Sequence, residues 1–390
     1  MARTISNVGD GVSTVALVLR VQETERSGVA VGILLLAIGL PPLLSPFAGA
    51  IADRVDQRRL MMACDATQTA LFAAVAAIVP SYPGLVAVAV LSSTLATLFG
   101  PAGASSLAAL VRRDELTTAN AWVGTSLNVR VILGPAIGGA LFGTVGFRAA
   151  LALDAASFLA SFLLLSRVPA LPPVPDQERE SGILRDTWRG VVEGMRNPVV
   201  RAVAVTLFVG VAFAAMDNVA LVFLAKERGA TDVAYGLLVS SFGVGMLISS
   251  LTLVRIGART RTVPLLLVGW AMVGLGTLST ALVPVVAAMA VMQALAGAGN
   301  GTTNVADNTL IQQHVLRPQM GRAFGLTRVG AMVGGSVSAA VAGWLVDLTS
   351  PATVFVIAGA GGLAVVALLW VLLPTSVRTG PTPPAPSPGP

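Results

Sequence analysis

A chain of 390 residues in which 55% are hydrophobic and only 11% are charged cannot cover its own surface in water, because a soluble domain carries roughly 25% charged residues. Lipid is therefore the expected solvent for most of it. Continuous apolar runs such as 29–44 and 355–373 lack the alternation of a membrane β-barrel. The single cysteine, Cys64, and single histidine, His314, exclude an internal disulfide, a thiolate cluster, a His-based zinc site and a Ser-His-Asp triad. No phosphate-binding P-loop is present, and no cofactor or metal is expected.

In chain order, twelve stretches are long and apolar enough to cross a bilayer. They are 4–21, 29–52, 60–80, 84–111, 117–143, 147–166, 199–224, 232–254, 262–281, 285–313, 320–346 and 351–374. The first is the most polar at its ends, holding Asp10 and Arg20. No cleavable signal peptide precedes them. With the N-terminus inside, 18 of the 25 basic residues fall on cytoplasmic loops and span ends, and five fall outside. The net charge of +6 thus reads as topology, with both termini cytoplasmic in a plasma (inner) membrane, and not as a nucleic-acid surface.

One longer loop, 167–198, is rich in proline at its start and then charged. It splits the chain into two sets of six spans, 1–166 and 199–374. Residues 375–390 read as a disordered Pro-rich tail. Laid over one another at an offset of 204, the halves match Val29-Ala-Val-Gly-Ile-Leu with Val233-Ala-Tyr-Gly-Leu-Leu. The same offset pairs Gly39 with Gly243, Arg113 with Arg317 and Gly139 with Gly343. An even number of spans per half makes this a parallel repeat, which places a substrate path between two bundles.

Gly49-Ala-Ile-Ala-Asp53-Arg54-Val-Asp56-Gln-Arg58-Arg59 resembles the signature between the second and third helices of the major facilitator superfamily, with Asp56 where glycine is usual. Gly134-Pro135-Ala-Ile-Gly138-Gly139 resembles the fifth-helix motif of its antiporters, with Arg130 at an earlier glycine position; the arginine motif of the fourth helix is absent. The resemblance implies an all-α membrane protein of twelve transmembrane helices in two six-helix bundles. It implies a cytoplasmic gate at Gly49, Asp53, Arg54, Arg58 and Arg59, whose charges hold the cytoplasmic side shut across the seam between halves. It also implies a short basic stretch ahead of the segment 4–10, so a truncated or late start is expected.

Charges inside spans narrow the site, since each costs at least about 2.5 kcal/mol near the bilayer centre without a partner or water. Asp65 lies near a span end and reads as interfacial. Arg130 falls near mid-membrane, and Asp10 on helix one is its expected partner, as an element of proton coupling or as a fixed pair. Asp217 on helix seven completes the central group, and Asp154 reads as structural. On helix ten, Asn300, Asn304, Asp307 and Asn308 share a face. Asn300, Asn304 and Asp307 are expected to line the cavity, and Asn308 to bond a neighbouring helix.

Together these features point to a secondary active transporter, not an enzyme: a monomer that exports a small amphipathic or drug-like molecule in exchange for protons. Siderophore or metabolite export, facilitated uptake, and a non-transporting receptor or scaffold on the same fold are the competing readings. A scaffold has no use for Asp10, Arg130 and Asp217 inside lipid.

Overall fold

The computed structural model describes residues 2–112, 115–170, 194–256, 261–316 and 319–379. These residues are helical almost throughout, with no strand among them. Helices occur at all twelve expected positions. They are α1 (Ala2–Glu25), α2a (Gly28–Gly39) and α2b (Ser45–Arg54), α3 (Gln57–Ile78), α4 (Tyr82–Leu110), α5 (Leu116–Thr144) and α6 (Phe147–Leu165). The second half follows with α7a (Pro198–Ala214) and α7b (Asp217–Glu227), α8 (Asp232–Ile256), α9 (Thr262–Leu282), α10 (Val286–His314), α11 (Met320–Leu348) and α12 (Pro351–Leu372). Most of the linker and the tail beyond 379 lie outside the described residues, as do Arg113 and Arg317. The first five tail residues are ordered: Thr375–Thr379 forms a short helix, α13, and the Arg378 guanidinium stacks 5.2 Å from the Trp370 ring centroid.

Local chemistry sets the helix ends. Asn197 accepts from the amides of Val199 and Val200, Ser350 from that of Thr353, and Asp56 from that of Arg59, which caps α7a, α12 and α3. Pro198 and Pro351 occupy the first turns, where a missing N–H costs nothing. Gly146 and Gly229 take positive φ in the turns after α5 and α7b. The second span breaks at Pro41-Pro42, which form a 3-10 turn. The seventh breaks at Ala215–Met216.

Among the described residues, ten helical stretches are long and apolar enough to cross a membrane. The other two, α1 and α10, have the length without the apolar composition. Packing explains why they can: α1 lies against α5 and α6, and α10 against α8 and α9. Their polar residues face protein or cavity in place of acyl chains.

Among the described residues the halves meet at one end only. At the end bearing the turns 26–27, 145–146 and 228–231, called here the distal face, two helix pairs cross at backbone contact. On α2a, a Cβ at Gly32 would lie 2.5 Å from the Ala339 carbonyl oxygen of α11, and Gly28 faces Gly343. On α8, a Cβ at Gly236 would lie 2.4 Å from the Pro135 carbonyl oxygen and 2.9 Å from Gly139 Cα of α5. Small residues let transmembrane backbones approach this closely. Toward the opposite, proximal face the same helices part, and Gly49 on α2b, Gly124 on α5, and Gly321 and Gly325 on α11 face open space.

A side chain wedged into a distal seam should force it apart. Gly139→Leu is expected to lengthen distances between spin labels on the distal ends of α5 and α8, measured by electron double resonance. Wild-type distances would show that the seam does not depend on this contact.

Candidate functional site

Between the closed distal seams and the open proximal face lies a cavity of about 370 Å³, lined from both halves. The N-terminal half contributes an almost wholly aliphatic wall: Val15 and Val18 of α1, Leu35 of α2a and Val131 of α5, with Thr14 as the one polar group. The C-terminal half supplies the polar chemistry. Asp217 and Asn218 open α7b at the break in the seventh span, where the helix N-terminus favours an anion. Gln293 and Asn300 project from α10, two turns apart on one face, and Tyr235, Phe242 and Trp270 add aromatic surface. Such a pocket, apolar on one side with a few placed polar groups on the other, suits an amphipathic small molecule.

Arg130 Nη1 stands 3.5 Å from Asp10 Oδ2, with the two side chains 36% and 12% exposed. The pair sits where α1 and α5 touch: a Cβ on Gly11 would come 2.9 Å from Gly134 Cα. The fifth-helix motif divides its residues between two neighbours. Gly134 and Gly138 face α1, at Gly11 and Val12, while the Pro135 carbonyl and Gly139 face Gly236 of α8. About two and a half turns of α5 therefore join the Asp10–Arg130 pair to a distal seam.

The signature segment lies at the proximal end. Asp56 caps α3, and the Arg58 guanidinium donates to the carbonyls of Leu165 and Ser166 at 3.1 and 2.6 Å. These carbonyls end α6, where a cation is favoured. Arg58 thus bonds within its own half and not across the seam. Arg54 and Arg59 are exposed, and Asp53 is half-buried. Asp65 is fully buried in protein on α3.

On α10, Asn300 lines the cavity. Asn304 Nδ2 donates to Asn300 Oδ1 at 3.0 Å, and Asn308 Nδ2 to the Asn304 carbonyl at 2.8 Å. Both lower asparagines are exposed, so an amide ladder descends from the cavity toward the proximal face, and Asn308 bonds its own helix. Asp307 is 4% exposed and both its carboxylate oxygens lack a hydrogen-bond partner. It lies outside the lining set.

Asp347, near the end of α11, has no counterpart in the sequence reading. Its Oδ1 accepts from the Gly28 amide at 2.5 Å, and its Oδ2 from the Ser27 hydroxyl at 2.7 Å and the Val29 amide at 3.1 Å. A carboxylate of one half thus caps the N-terminus of a helix in the other. The legible signal was Ser27-Gly28 as a helix start with the acid at the end of α11. Hydrogen bonds to a charged group contribute about 1.5–3 kcal/mol each. Asp347→Ala is therefore expected to raise the distally open population about tenfold or more, read by single-molecule transfer between dyes across the distal face. An unchanged population would remove Asp347 from the closure.

Comparison with known proteins agrees with this geometry. The sequence profile of a family described as transmembrane secretion effectors matches residues 1–315. Among curated relatives, the enterobactin exporter EntS of Citrobacter koseri is 27% identical, over 100% of this chain and 94% of its own. The multidrug efflux pump Tap of Mycobacterium bovis is 27% identical, over 89% and 85%. Among solved structures, the nucleoside transporter NupG superposes with a TM-score of 0.75 at 14% identity, covering 95% and 97%. A bacterial homologue of ferroportin in an inward-facing state superposes at 0.74 and 15%, covering 95% and 96%. These two likenesses are of fold alone. The chain is a multi-pass membrane transporter, and it belongs to the transmembrane secretion effector family of the major facilitator type.

Proposed function

We propose that the protein exports small amphipathic, drug-like or cationic compounds from the cytoplasm in exchange for protons, as a monomer working by alternating access. The proximal face is then cytoplasmic, as the arginine distribution implies, and the structure is the inward-facing state. Residues 1–166 and 199–374 are the two rocking bundles, joined by the linker 167–198. The observation that carries this reading is the cavity itself: it spans both bundles, is closed by small-residue seams on one side and open on the other, and sets one carboxylate against an aliphatic wall. Relatives named as exporters support the direction of transport.

In this reading Asp217 is the polar pole that attracts a cationic or hydrogen-bond-donating group, and the aliphatic residues of α1 and α5 hold the apolar body. Asp53, Arg54, Arg58 and Arg59, with Gly49 at the close approach, form the cytoplasmic gate that engages when the proximal side closes. The Arg58 bonds to α6 fix that gate to its own bundle and leave Arg54 and Arg59 free to face the other.

The test is a growth screen of a pump-deficient host expressing the protein, against toxic cationic and neutral compounds, with and without an uncoupler. Protection that the uncoupler abolishes is expected. Protection that survives it would replace proton exchange with a downhill carrier. Asp217→Asn is expected to weaken binding of cationic compounds by about ten- to a hundredfold, the equivalent of one charged hydrogen bond, while neutral compounds change little. Equal losses for both classes would remove Asp217 from charge recognition.

A further inference from the structure

We propose that Asp154 on α6 is a proton-binding site, the buried member of a three-residue group with Asp10 and Arg130. It deepens the proton-exchange reading above and rests on it for its role in transport.

Asp154 is 0% exposed. Its Oδ1 accepts from the Ser157 hydroxyl at 3.2 Å, and its buried Oδ2 has no hydrogen-bond partner. The carboxyl group is pressed against α1: a Cβ on Gly9 would lie 2.3 Å from Oδ1, so only glycine leaves room for it. Gly9 sets the α1 segment that carries Asp10 against this carboxyl group, and Asp10, Ser13 and, through its pair with Asp10, Arg130 are the groups that act on it electrostatically. The remaining neighbour, α3, presents Phe72 stacked on Phe158 one turn away, with ring centroids 5.8 Å apart. The acid of that helix, Asp65, lies two turns beyond Phe72 toward the proximal end.

The charge count follows. Two carboxylates share one guanidinium, and Arg130 already stands on Asp10. A second full negative charge here, out of water and lacking a cation of its own, is the costliest state available. One proton on Asp154 brings the group to zero net charge and gives the orphaned Oδ2 its hydrogen. The exposures grade from Arg130 through Asp10 to Asp154, so Asp10 is the more accessible of the two acids.

The exchange step is a proton transfer alone. The O–H bond of Asp154 breaks and an O–H bond forms on Asp10; Asp154 is left as a carboxylate. Arg130 then loses its anionic partner at Asp10 and is drawn toward Asp154; the Asp10 proton leaves to water as a cationic substrate enters, so the second negative charge is not left uncompensated. Arg130 lies nine residues before Gly139, the seam residue against Gly236. A change of partner at Arg130 therefore acts on the helix that helps close the distal side.

Infrared difference spectroscopy on the purified, lipid-reconstituted protein tests the site directly. Wild type minus Asp154→Asn should show one carbonyl stretch of a protonated carboxyl group, shifting on deuteration. Asp154→Glu should move that band without abolishing it, which covers the case in which the asparagine variant does not fold. Bands of ionised carboxylate alone in both difference spectra would overturn the proposal. In proteoliposomes, Asp154→Asn should reduce substrate-driven proton movement to background while substrate binding stays within about threefold; wild-type coupling in that variant would also overturn it. If the wild type itself moves no protons, the exchange reading of the function falls, and the infrared arm alone decides whether Asp154 holds a proton.

Discussion

Close contact between glycines at the distal face is the constraint on which the rest of this structure depends. Lipid supplies no hydrophobic drive between helices, so two bundles stay together only where their backbones can nearly touch. Gly32 against Ala339 and Gly343, and Gly236 against Pro135 and Gly139, provide two such places. Because both lie at one end, the other end is free to part, and the space between them becomes a cavity instead of a packed core. The open proximal face, the exposed Asn304 and Asn308, and the inward-bonded Arg58 all follow from where the small residues were placed.

The helical architecture was largely legible because a bilayer imposes a length and a composition on each crossing. Even α1 and α10, too polar by this composition, were read directly along the chain as spans, and the loop arginines agree with that count. The internal repeat proved more informative than its weak identities suggested. Gly32 and Gly236 correspond at the offset of 204, as do Gly139 and Gly343, and these four residues form the two seams. What the sequence could not give was which face of a helix meets which neighbour. Asp307 and Asn300 share a stripe, yet one is sealed in protein and the other faces the cavity. Gln293 and Trp270 carry no motif, and Asp347 acts only through a helix 319 residues away in the chain.

The interior charges sort into three environments. Asp10 and Arg130 are paired and half-wet, Asp217 faces the cavity at a helix N-terminus, and Asp154 and Asp307 are buried with unpartnered oxygens. Each environment sets a different cost for ionisation, so four carboxylates of one chemical type sit in three different settings. Burial of Asp154 behind Asp10 was invisible in the sequence because the spacing 10, 130 and 154 means nothing until α1, α5 and α6 pack.

The two seams are related by the repeat but carry their acids on opposite partners. Gly28 of α2a corresponds to Asp232 of α8, and Asp347 of α11 to Gly143 of α5. In the first seam the acid reaches over the divide to cap the opposing helix. In the second, Asp232 is held at 2.5 Å by Lys226 of its own half, and the contact with Gly143 is one of shape alone. Two seams related by the repeat thus have unequal fastenings: parting the first breaks the hydrogen bonds to Asp347, and parting the second breaks no such bond among those described. In the proposed rocking, the α5–α8 edge is the one expected to part first.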